Sequence, residues 1–352
     1  MFGYLGRVSV FIIITGALAV AQVGSAWPEA DRLFRTDPQW LGADAAFSID
    51  LGRGRVLWTF GDTFVARSKI ETRASAAFLR NTVAIQTGYD PSHAQMKFYW
   101  RTGKQGPSEI FQSEPPVWMW PASGIRIGQN LILFCTRVRP DHSKNSLGFR
   151  VVGWTAYLVT NPDDEPTKWI MRKVAEQRGT KVILASAAMC IDRFVYFLAN
   201  SEPEHDLYLA RIDVESVGSG NFDELEWWSG HDWQRLESKR RPVIRGASTE
   251  SSLQRDPHGN GFVEINTQGF GATDIAMRHA RQLEGPWSEP KAIYRPPESN
   301  APDAFVYAAK SHPELMGADV VITYVANASD QKLASDMSLY FPRFVRLNLP
   351  GR

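Results

Sequence analysis

Residues 42–64 read GADAAFSIDLGRGRVLWTFGDTF, and this stretch decides the fold class. Two apolar runs, near residues 44–51 and 56–62, lie on either side of a turn at Gly52–Gly54. Short apolar runs that are bounded by glycine and aspartate are typical of β-strands, and a tight glycine turn between two such runs indicates a hairpin. The stretch therefore predicts an antiparallel β-hairpin.

Four more segments of the chain repeat this pattern. The candidate hairpins cover residues 121–138, 186–202, 249–268 and 310–329, and their predicted turns lie at Gly128–Asn130, Asp192–Arg193, Asp256–Asn260 and Gly317–Asp319. Their equivalent starting positions are Asp44, Ser123, Ala187, Glu250 and His312, at spacings of 79, 64, 63 and 62 residues. Near-regular spacing of this kind indicates a repeat architecture.

Further strand-like runs lie between the hairpins, such as NTVAIQTG at residues 81–88 and TAYLVT at residues 155–160. Each repeat therefore supplies about four strands, which is the content of one propeller blade. The sequence predicts an all-β protein, a five-bladed β-propeller of four-stranded antiparallel sheets. We expect residues 31–35 to complete the fifth blade and residues 68–80 to form a polar insertion in the first. The alternative is a two-sheet sandwich, which the regular period disfavours.

The amino terminus predicts export. Arg7 precedes an apolar run from Val8 to Val23, and the small residues Gly24 and Ala26 follow it, as in a secretory signal peptide. We predict a signal peptide at residues 1–26, a single propeller domain at residues 27–352, and a secreted or periplasmic location. A retained anchor helix is the alternative. No later run approaches the ~18 apolar residues of a membrane span, so no stable span is expected after signal removal.

The charge balance narrows the class of partner. Arg7 is the one charged residue among the first 26, which leaves 38 basic and 38 acidic side chains in the remainder. Nucleic acids and anionic membranes require a basic surface, so neither is expected as a partner. Cys135 and Cys190 are the two cysteines. After export they could form a disulfide or remain as two buried thiols, and the sequence leaves both possibilities open.

Three carboxylates are the candidate catalytic groups. Residues at one end of the inner strands of a propeller converge on its axis, which brings Asp44, Glu250 and His312 together. In an antiparallel pair of strands, the residue numbers of two opposed residues always add up to the same value. A turn centred on residue 53 therefore puts Asp62 beside Asp44. The same arithmetic places Asn266 opposite Glu250 and Asn327 opposite His312.

Paired carboxylates suit glycosidic cleavage, because one carboxylic acid protonates the leaving oxygen and one carboxylate acts at the anomeric carbon or its water. Asp44, Asp62 and Glu250 are therefore the predicted catalytic residues. Each also has a structural interpretation: Asp62 as a turn cap, Asp44 as a strand-end hydrogen bonder and Glu250 as a solvated surface residue. His312 as a structural histidine is the corresponding alternative for that residue.

The predicted substrate-binding residues surround these acids. Trp118 and Trp120 in the segment PPVWMWP directly precede the second inner strand and are expected to stack on sugar rings. His312, Asn266 and Asn327 complete the predicted set. The tripeptide HPE at residues 312–314 provides too few ligands for a metal site, so neither a metal nor a cofactor is predicted.

Several segments resemble a known family. LWTFGDTF at residues 57–64, YAAKSHPEL at 307–315 and LYFPRFVRL at 339–347 are similar to segments of a bacterial family described as a domain of unknown function. That family is allied with the five-bladed propeller furanosidases, the broad group of arabinanases and levansucrases. Some of its members are regarded as endo-D-arabinanases.

The resemblance implies a glycoside hydrolase that cleaves furanosidic, arabinan-type linkages, with the aspartates of the GAD and GDT motifs, Asp44 and Asp62, as leading catalytic candidates. The implied partner is a polysaccharide or oligosaccharide. The RDP motif of levansucrases is not found at a corresponding site, because RDP at residues 255–257 falls in a predicted turn. A non-catalytic carbohydrate-binding propeller and an interaction scaffold are the alternatives.

Overall fold

The computed structural model describes residues 24–68, 72–143, 147–269, 271 and 273–349. Of the predicted signal peptide, residues 1–23 lie outside the described residues, whereas residues 24–26 lie within them. In the described part of the chain, no helix has the length and apolar content needed to span a membrane.

The described residues are mainly β-strands. The first ten are β1 (Gly24–Ala26), β2 (Trp40–Ala43), β3 (Phe47–Gly52), β4 (Arg55–Phe60), β5 (Thr63–Val65), β6 (Ala77–Leu79), β7 (Thr82–Thr87), β8 (Gln95–Tyr99), β9 (Arg101–Gly103) and β10 (Gly106–Ser108). The next ten are β11 (Trp118–Ile127), β12 (Asn130–Pro140), β13 (Phe149–Val159), β14 (Met171–Arg178), β15 (Val182–Ile191), β16 (Phe194–Ser201), β17 (Leu207–Asp213), β18 (Glu226–Trp228), β19 (Trp233–Gln234) and β20 (Pro242–Ile244). The last seven are β21 (Ser251–Arg255), β22 (Phe262–Thr267), β23 (Ile275–Ala280), β24 (Lys291–Tyr294), β25 (Ala304–Ser311), β26 (Val320–Ala328) and β27 (Arg343–Leu347).

Helices are few and short. The α-helices are α1 (Pro28–Asp31), α2 (Val214–Ser219) and α3 (Asp330–Ser335). Single 3₁₀ turns cover Arg32–Arg35, Pro166–Lys168, Glu237–Lys239 and Pro297–Asn300. The all-β prediction is therefore confirmed for the described residues.

Within the described residues, five antiparallel sheets contain four or more strands, and each begins with one of the predicted hairpins. Their strand orders are β3-β4-β7-β8, β11-β12-β13-β14, β15-β16-β17-β18-β19 with β20 beside β17, β21-β22-β23-β24, and β25-β26-β27-β1. The predicted insertion after residue 68 instead adds β6 to a small sheet, β2-β5-β6, that extends the first hairpin.

The first strands of these five sheets follow one another around a common centre. β3 contacts β11, β11 contacts β15, β15 contacts β21, and β21 contacts β25. The fifth sheet also contacts the first sheet. Lys310 on β25 donates to the carbonyl oxygen of Ala45, and His312, just after β25, contacts Ser48 on β3. Consequently, residues more than 260 positions apart in the sequence are neighbours.

The amino terminus completes the fifth sheet, but not with the predicted residues. Gly24–Ala26 pair with β27 as its outer strand, with Gly24 opposite Leu347 and Ala26 opposite Val345. Residues 31–35, which were expected to supply this strand, form the end of α1 and a 3₁₀ turn instead. The prediction was wrong in position because Pro28 starts a helix, where its fixed φ is favourable.

The fifth hairpin also departs from its predicted register. Asn327 pairs with Phe305, not with His312, and β25 shifts register between Tyr307 and Lys310. His312 lies beyond β25 and donates its backbone N–H to Val321 near the opposite end of the hairpin. The predicted turn at Gly317–Asp319 is in reality a longer connection over residues 312–319, so the constant-sum arithmetic failed there.

Apolar side chains fill the space between the sheets. Phe134 of the second sheet contacts Phe197 of the third at a ring-centroid distance of 5.3 Å, and Trp58 of the first contacts Phe344 of the fifth at 6.0 Å. The cysteines do not form a disulfide: Cys135 is buried on β12, and Cys190 is exposed on β15. Both thiols are free, so neither the disulfide nor the pair of buried thiols is correct.

Candidate functional site

The acids of the first hairpin meet at its open end. Phe47 pairs with Thr59 and Ala43 pairs with Thr63, which is the register that the sequence predicted. Between these pairs, the backbone N–H of Asp44 donates to the carbonyl oxygen of Asp62 at 3.4 Å. The predicted juxtaposition of Asp44 and Asp62 is therefore confirmed as geometry.

An unusual backbone follows Asp44. Ala45 and Ala46 have φ values of 65° and 59°, in the left-handed region that residues with a Cβ rarely adopt. Such a conformation costs of the order of 1–3 kcal/mol and persists where the surrounding structure holds it. Gly61 leaves room for this carboxyl, because a Cβ at that position would lie 2.5 Å from Asp44 Oδ1 and would displace it. Two strained residues and one glycine thus determine the position of the Asp44 carboxyl.

Asp44 is a carboxyl group with few donors around it. Tyr307 Oη donates to Asp44 Oδ2 at 2.8 Å. Burial, together with the nearby carboxylates of Asp62 and Glu250, raises the pKa of Asp44 to about 8, against the opposing hydrogen bonds of Tyr307 and Tyr340. Asp44 is therefore protonated at neutral pH.

Asp62 has a different environment. Arg80 Nη1 lies 3.2 and 3.1 Å from its two carboxyl oxygens, and Trp120 Nε1 donates to Oδ1 at 2.8 Å. Burial raises the pKa of Asp62 above its ordinary value, against the opposing effects of Arg80 and Trp120. The guanidinium and the indole N–H both stabilise the charged form of Asp62, and within the described residues Asp44 has no cation of this kind beside it.

Glu250 joins the site from the fourth sheet. Its Oε2 atom lies 2.5 Å from Lys310 Nζ, and the Lys310 side chain is 2% exposed. Burial lowers the pKa of Lys310, and the charge of Glu250 opposes that shift. Within the described residues, Glu250 Oε1 makes no hydrogen bond, so one carboxyl oxygen is available to a ligand.

All three acids line one cavity of about 1480 Å³. Aromatic side chains form part of its wall, and both predicted tryptophans are among them. Trp118 lies under the guanidinium of Arg80 at 4.2 Å, and Trp120 contacts Phe149 at a ring-centroid distance of 4.7 Å. Asn327 also lines the cavity, where its Nδ2 donates to Tyr307 Oη at 3.1 Å.

His312 and Asn266 are not part of this site. His312 is 1% exposed, and its ring nitrogens contact Ser48 Oγ at 2.5 Å and Thr323 Oγ1 at 2.7 Å. It is therefore a structural histidine, as the alternative for this residue states. Asn266 is fully buried opposite Ser251 on the other face of β22, whereas the next residue, Thr267, lines the cavity. A one-residue error in register moved the predicted side chain to the wrong face.

Four important residues of the site were not predicted. Arg80 pairs with Asp62, and Lys310 pairs with Glu250. The other two are tyrosines of the fifth sheet: Tyr307 lies on β25, and Tyr340 lies in the connection between β26 and β27. Tyr340 Oη donates to the carbonyl oxygen of Asp62 at 3.1 Å. The segments YAAK and LYFPRF contain three of these residues, and a charged lysine inside an apolar strand was the available signal.

The site has no ready-made metal centre. Among the described residues, no three side chains of histidine, cysteine, aspartate or glutamate are arranged so as to hold a metal ion. The chemistry that the described side chains themselves provide is a protonated carboxylic acid beside two carboxylates paired with cations.

Solved structures resemble the chain at low sequence identity. A candidate hydrolase from Bacteroides ovatus ATCC 8483 is 16% identical and shares the fold, with a TM-score of 0.74 over 91% of this chain and 89% of that protein. The catalytic domain of the GH62 α-L-arabinofuranosidase of Coprinopsis cinerea is 10% identical, with a TM-score of 0.44 and coverages of 87% and 90%. A GH43_1 enzyme from Xanthomonas citri, complexed with xylose, is 9% identical, with a TM-score of 0.46 and coverages of 90% and 92%.

Sequence comparison identifies the family. None of the curated proteins matches the chain. A family model described as "Domain of unknown function (DUF5005)" matches residues 29–349, which is most of the chain. This agrees with the resemblance found in the segments around GDTF and YFPRF. The chain belongs to the DUF5005 family.

Proposed function

We propose that this protein is an exported five-bladed β-propeller glycoside hydrolase that cleaves furanosidic, arabinan-type linkages in its central cavity. The observation that carries the proposal is the meeting of Asp44, Asp62 and Glu250 on one cavity, where Arg80 pairs with Asp62, Lys310 pairs with Glu250, and burial raises the pKa of Asp44. Carboxyl groups with pKa values pushed apart by their surroundings are the requirement of glycosidic cleavage.

The environments assign the roles. Asp44 retains its proton at neutral pH and donates it to the oxygen of the leaving sugar. Glu250 keeps Oε1 free of hydrogen bonds, so it acts on the anomeric carbon or on the water that attacks it. Asp62, held by Arg80 and Trp120, is the negative charge beside Asp44 that keeps the Asp44 proton in place.

The cavity wall supports a sugar substrate. Trp120 and Phe78 offer aromatic surface next to the acids, and 47% of the Phe78 residue is exposed, whereas Trp118 is 9% exposed and its ring is covered by the Arg80 guanidinium. Aromatic rings stack on the apolar faces of sugar rings. The carbohydrate-binding alternative predicts the same rings, but it gives no reason for a protonated Asp44 between two further acids.

The propeller and its export rest on separate observations. Five large antiparallel sheets whose first strands succeed one another around a centre support the five-bladed architecture. The apolar run behind Arg7 supports export.

The decisive experiment is hydrolysis of a polysaccharide panel that includes D-arabinan, L-arabinan, xylan and levan, with release of reducing ends as the measurement. On the cleaved polymer, Asp44→Asn and Glu250→Gln should each reduce kcat by about 10²-fold or more, since they remove a proton donor and a carboxylate. Asp62→Asn should reduce it comparably.

Asp330→Asn is the matched control, because Asp330 is an exposed carboxylate on the same cavity and makes no contact with the three acids. It should retain wild-type activity. Binding of the polymer without release of reducing ends would support the carbohydrate-binding alternative, and full activity of Asp44→Asn would refute the assignment of the acid.

A further inference from the structure

One side of the cavity is basic. Arg139 on β12 and Arg150 on β13 are directly opposed in the antiparallel pair, and both line the cavity. Lys181, just before β15, lines it as well. Together these three residues form what we call the basic wall.

The cations of the basic wall differ from their neighbours. Arg137, two residues before Arg139, is paired with Glu114 at 3.0 Å and with Glu176 at 2.6 Å. Arg178 contacts the same two acids. In the described part of the chain, no acid lies within ion-pair distance of Arg139, Arg150 or Lys181. Glu114 and Glu176 are thus used by other cations, whereas Arg139, Arg150 and Lys181 have no ion pair among the described residues, although Asp141 and Glu202 line the same cavity.

Such an arrangement does not stabilise the fold. Like charges that are directly opposed on neighbouring strands destabilise a sheet. The arrangement is favourable once an anion lies between the two guanidinium groups, because each offers a planar fork of donors that matches a carboxylate, sulfate or phosphate.

Aromatic rings connect the basic wall to the acids. Trp120 donates to Asp62 through Nε1, and its ring contacts that of Phe149, the residue directly before Arg150. A saccharide that lies along these two rings has one end at the three carboxyl groups and the other at the basic wall.

We propose that the basic wall is a subsite for anionic substituents of the saccharide, so that the furanosidic substrate of this cavity is part of an acidic glycan. This inference rests on the proposed function for the use of the cavity as a substrate site. The shared chemistry is an oxyanion on a sugar, supplied either by a uronic acid carboxylate or by an ester sulfate.

The test measures binding by affinity electrophoresis or calorimetry with two charged polymers and their neutral counterparts. Polygalacturonate is compared with fully methyl-esterified pectin, and dextran sulfate is compared with dextran. We expect one charged polymer to bind at least about tenfold more tightly than its neutral counterpart, since each charge-assisted contact contributes of the order of a tenfold factor. The polymer that does so identifies the oxyanion.

The double variant Arg139→Ala/Arg150→Ala should lose this preference, while Arg281→Ala/Lys291→Ala should keep it. The control pair removes two exposed positive charges that do not line the cavity, so it matches the change in net charge. Equal binding of charged and neutral polymers, or equal loss in both variants, would overturn the subsite.

The same measurement with Asp44→Asn separates this inference from the proposed function. The variant should bind the charged polymer like the wild type, because binding at the basic wall requires no catalysis. Charge-dependent binding without hydrolysis would refute only the proposed hydrolase activity. Hydrolysis of neutral arabinan without any preference for charged polymers would refute only the anionic subsite.

Discussion

Tyr307 Oη donates a hydrogen bond of 2.8 Å to Asp44 Oδ2, although 263 positions separate the two residues. Tyr307 lies on the first strand of the fifth sheet, and Asp44 precedes the first strand of the first sheet. The hydrogen bond therefore forms only when the two ends of the chain have come together. Asn327 Nδ2 donates to the same hydroxyl at 3.1 Å and fixes its direction toward Asp44.

Tyr307→Phe should move the basic limb of the pH profile upward. The proposed reaction needs protonated Asp44, so activity should fall above the pKa of that group, which burial raises to about 8. The Tyr307 hydrogen bond lowers this pKa by stabilising the carboxylate, and its removal therefore raises it. The measurement is kcat/KM against pH on the cleaved polysaccharide. Tyr157→Phe, on the second sheet, should leave the limb in place, and a downward shift in Tyr307→Phe would contradict the role of Asp44.

Asp44→Asn should stabilise the protein at alkaline pH. The folded-state pKa of Asp44, about 8, lies above its unfolded value of 3.8, so the folded state binds the proton more tightly. Its contribution to stability is fully present below pH 3.8 and is lost as the pH rises to about 8. We expect Asp44→Asn to melt a few degrees higher than the wild type at about pH 8.5, with a smaller difference or none at about pH 4. A variant that is less stable at the alkaline pH would exclude the raised pKa.

The first hairpin shows what the sequence determines. Its turn uses Gly54, with a φ of 76°, and the one register shift, between Asp50 and Gly52, is confined to the turn end. From Asp50 to Phe47 the pairing keeps the register that the sequence predicts. That register by itself is enough to place Asp44 beside Asp62. Side chains that depend on local pairing are therefore predictable.

The remainder of the site depends on contacts that local pairing does not encode. Lys310 reaches Glu250 and Ala45 from a different sheet, and the β-bulge after Tyr307 shifts the register of the fifth hairpin. A bulge changes the face on which each later residue lies. For this reason local pairing wrongly assigns His312 to the cavity and gives no indication of Lys310.

The strand Gly24–Ala26 leads to a prediction about the mature protein. It supplies the outer pairing of β27, whereas a cleavage after Ala26 would remove it. If the chain is exported as proposed, we expect the processed protein to begin at or before Gly24, which mass spectrometry would show. A chain that begins at Trp27 should melt several degrees below one that begins at Gly24, because β27 then has an unpaired edge. Equal melting temperatures would show that the strand contributes nothing.

Lys310→Met should destabilise the protein and remove activity together. The Lys310 ammonium is bound by Glu250 and by the carbonyl oxygens of Ala45 and Ala308, and both alanines have left-handed backbone conformations. Breaking a buried ion pair by removing one partner costs about 3–5 kcal/mol. Because Glu250 is partly exposed, we expect Lys310→Met to lower the free energy of unfolding by about 3 kcal/mol or less.

The double variant Lys310→Met/Glu250→Gln distinguishes the ion pair from the carbonyl contacts. If the charges are coupled, its free energy of unfolding should lie about 1–3 kcal/mol above the value that adding the two single effects predicts, as denaturant unfolding would measure. Additive effects would show that Lys310 acts only through the backbone of Ala45 and Ala308. Activity should not return in the double variant, because Glu250 Oε1 belongs to the proposed reaction while Lys310 only positions it. A double variant that recovered activity along with stability would remove Glu250 from the catalytic residues.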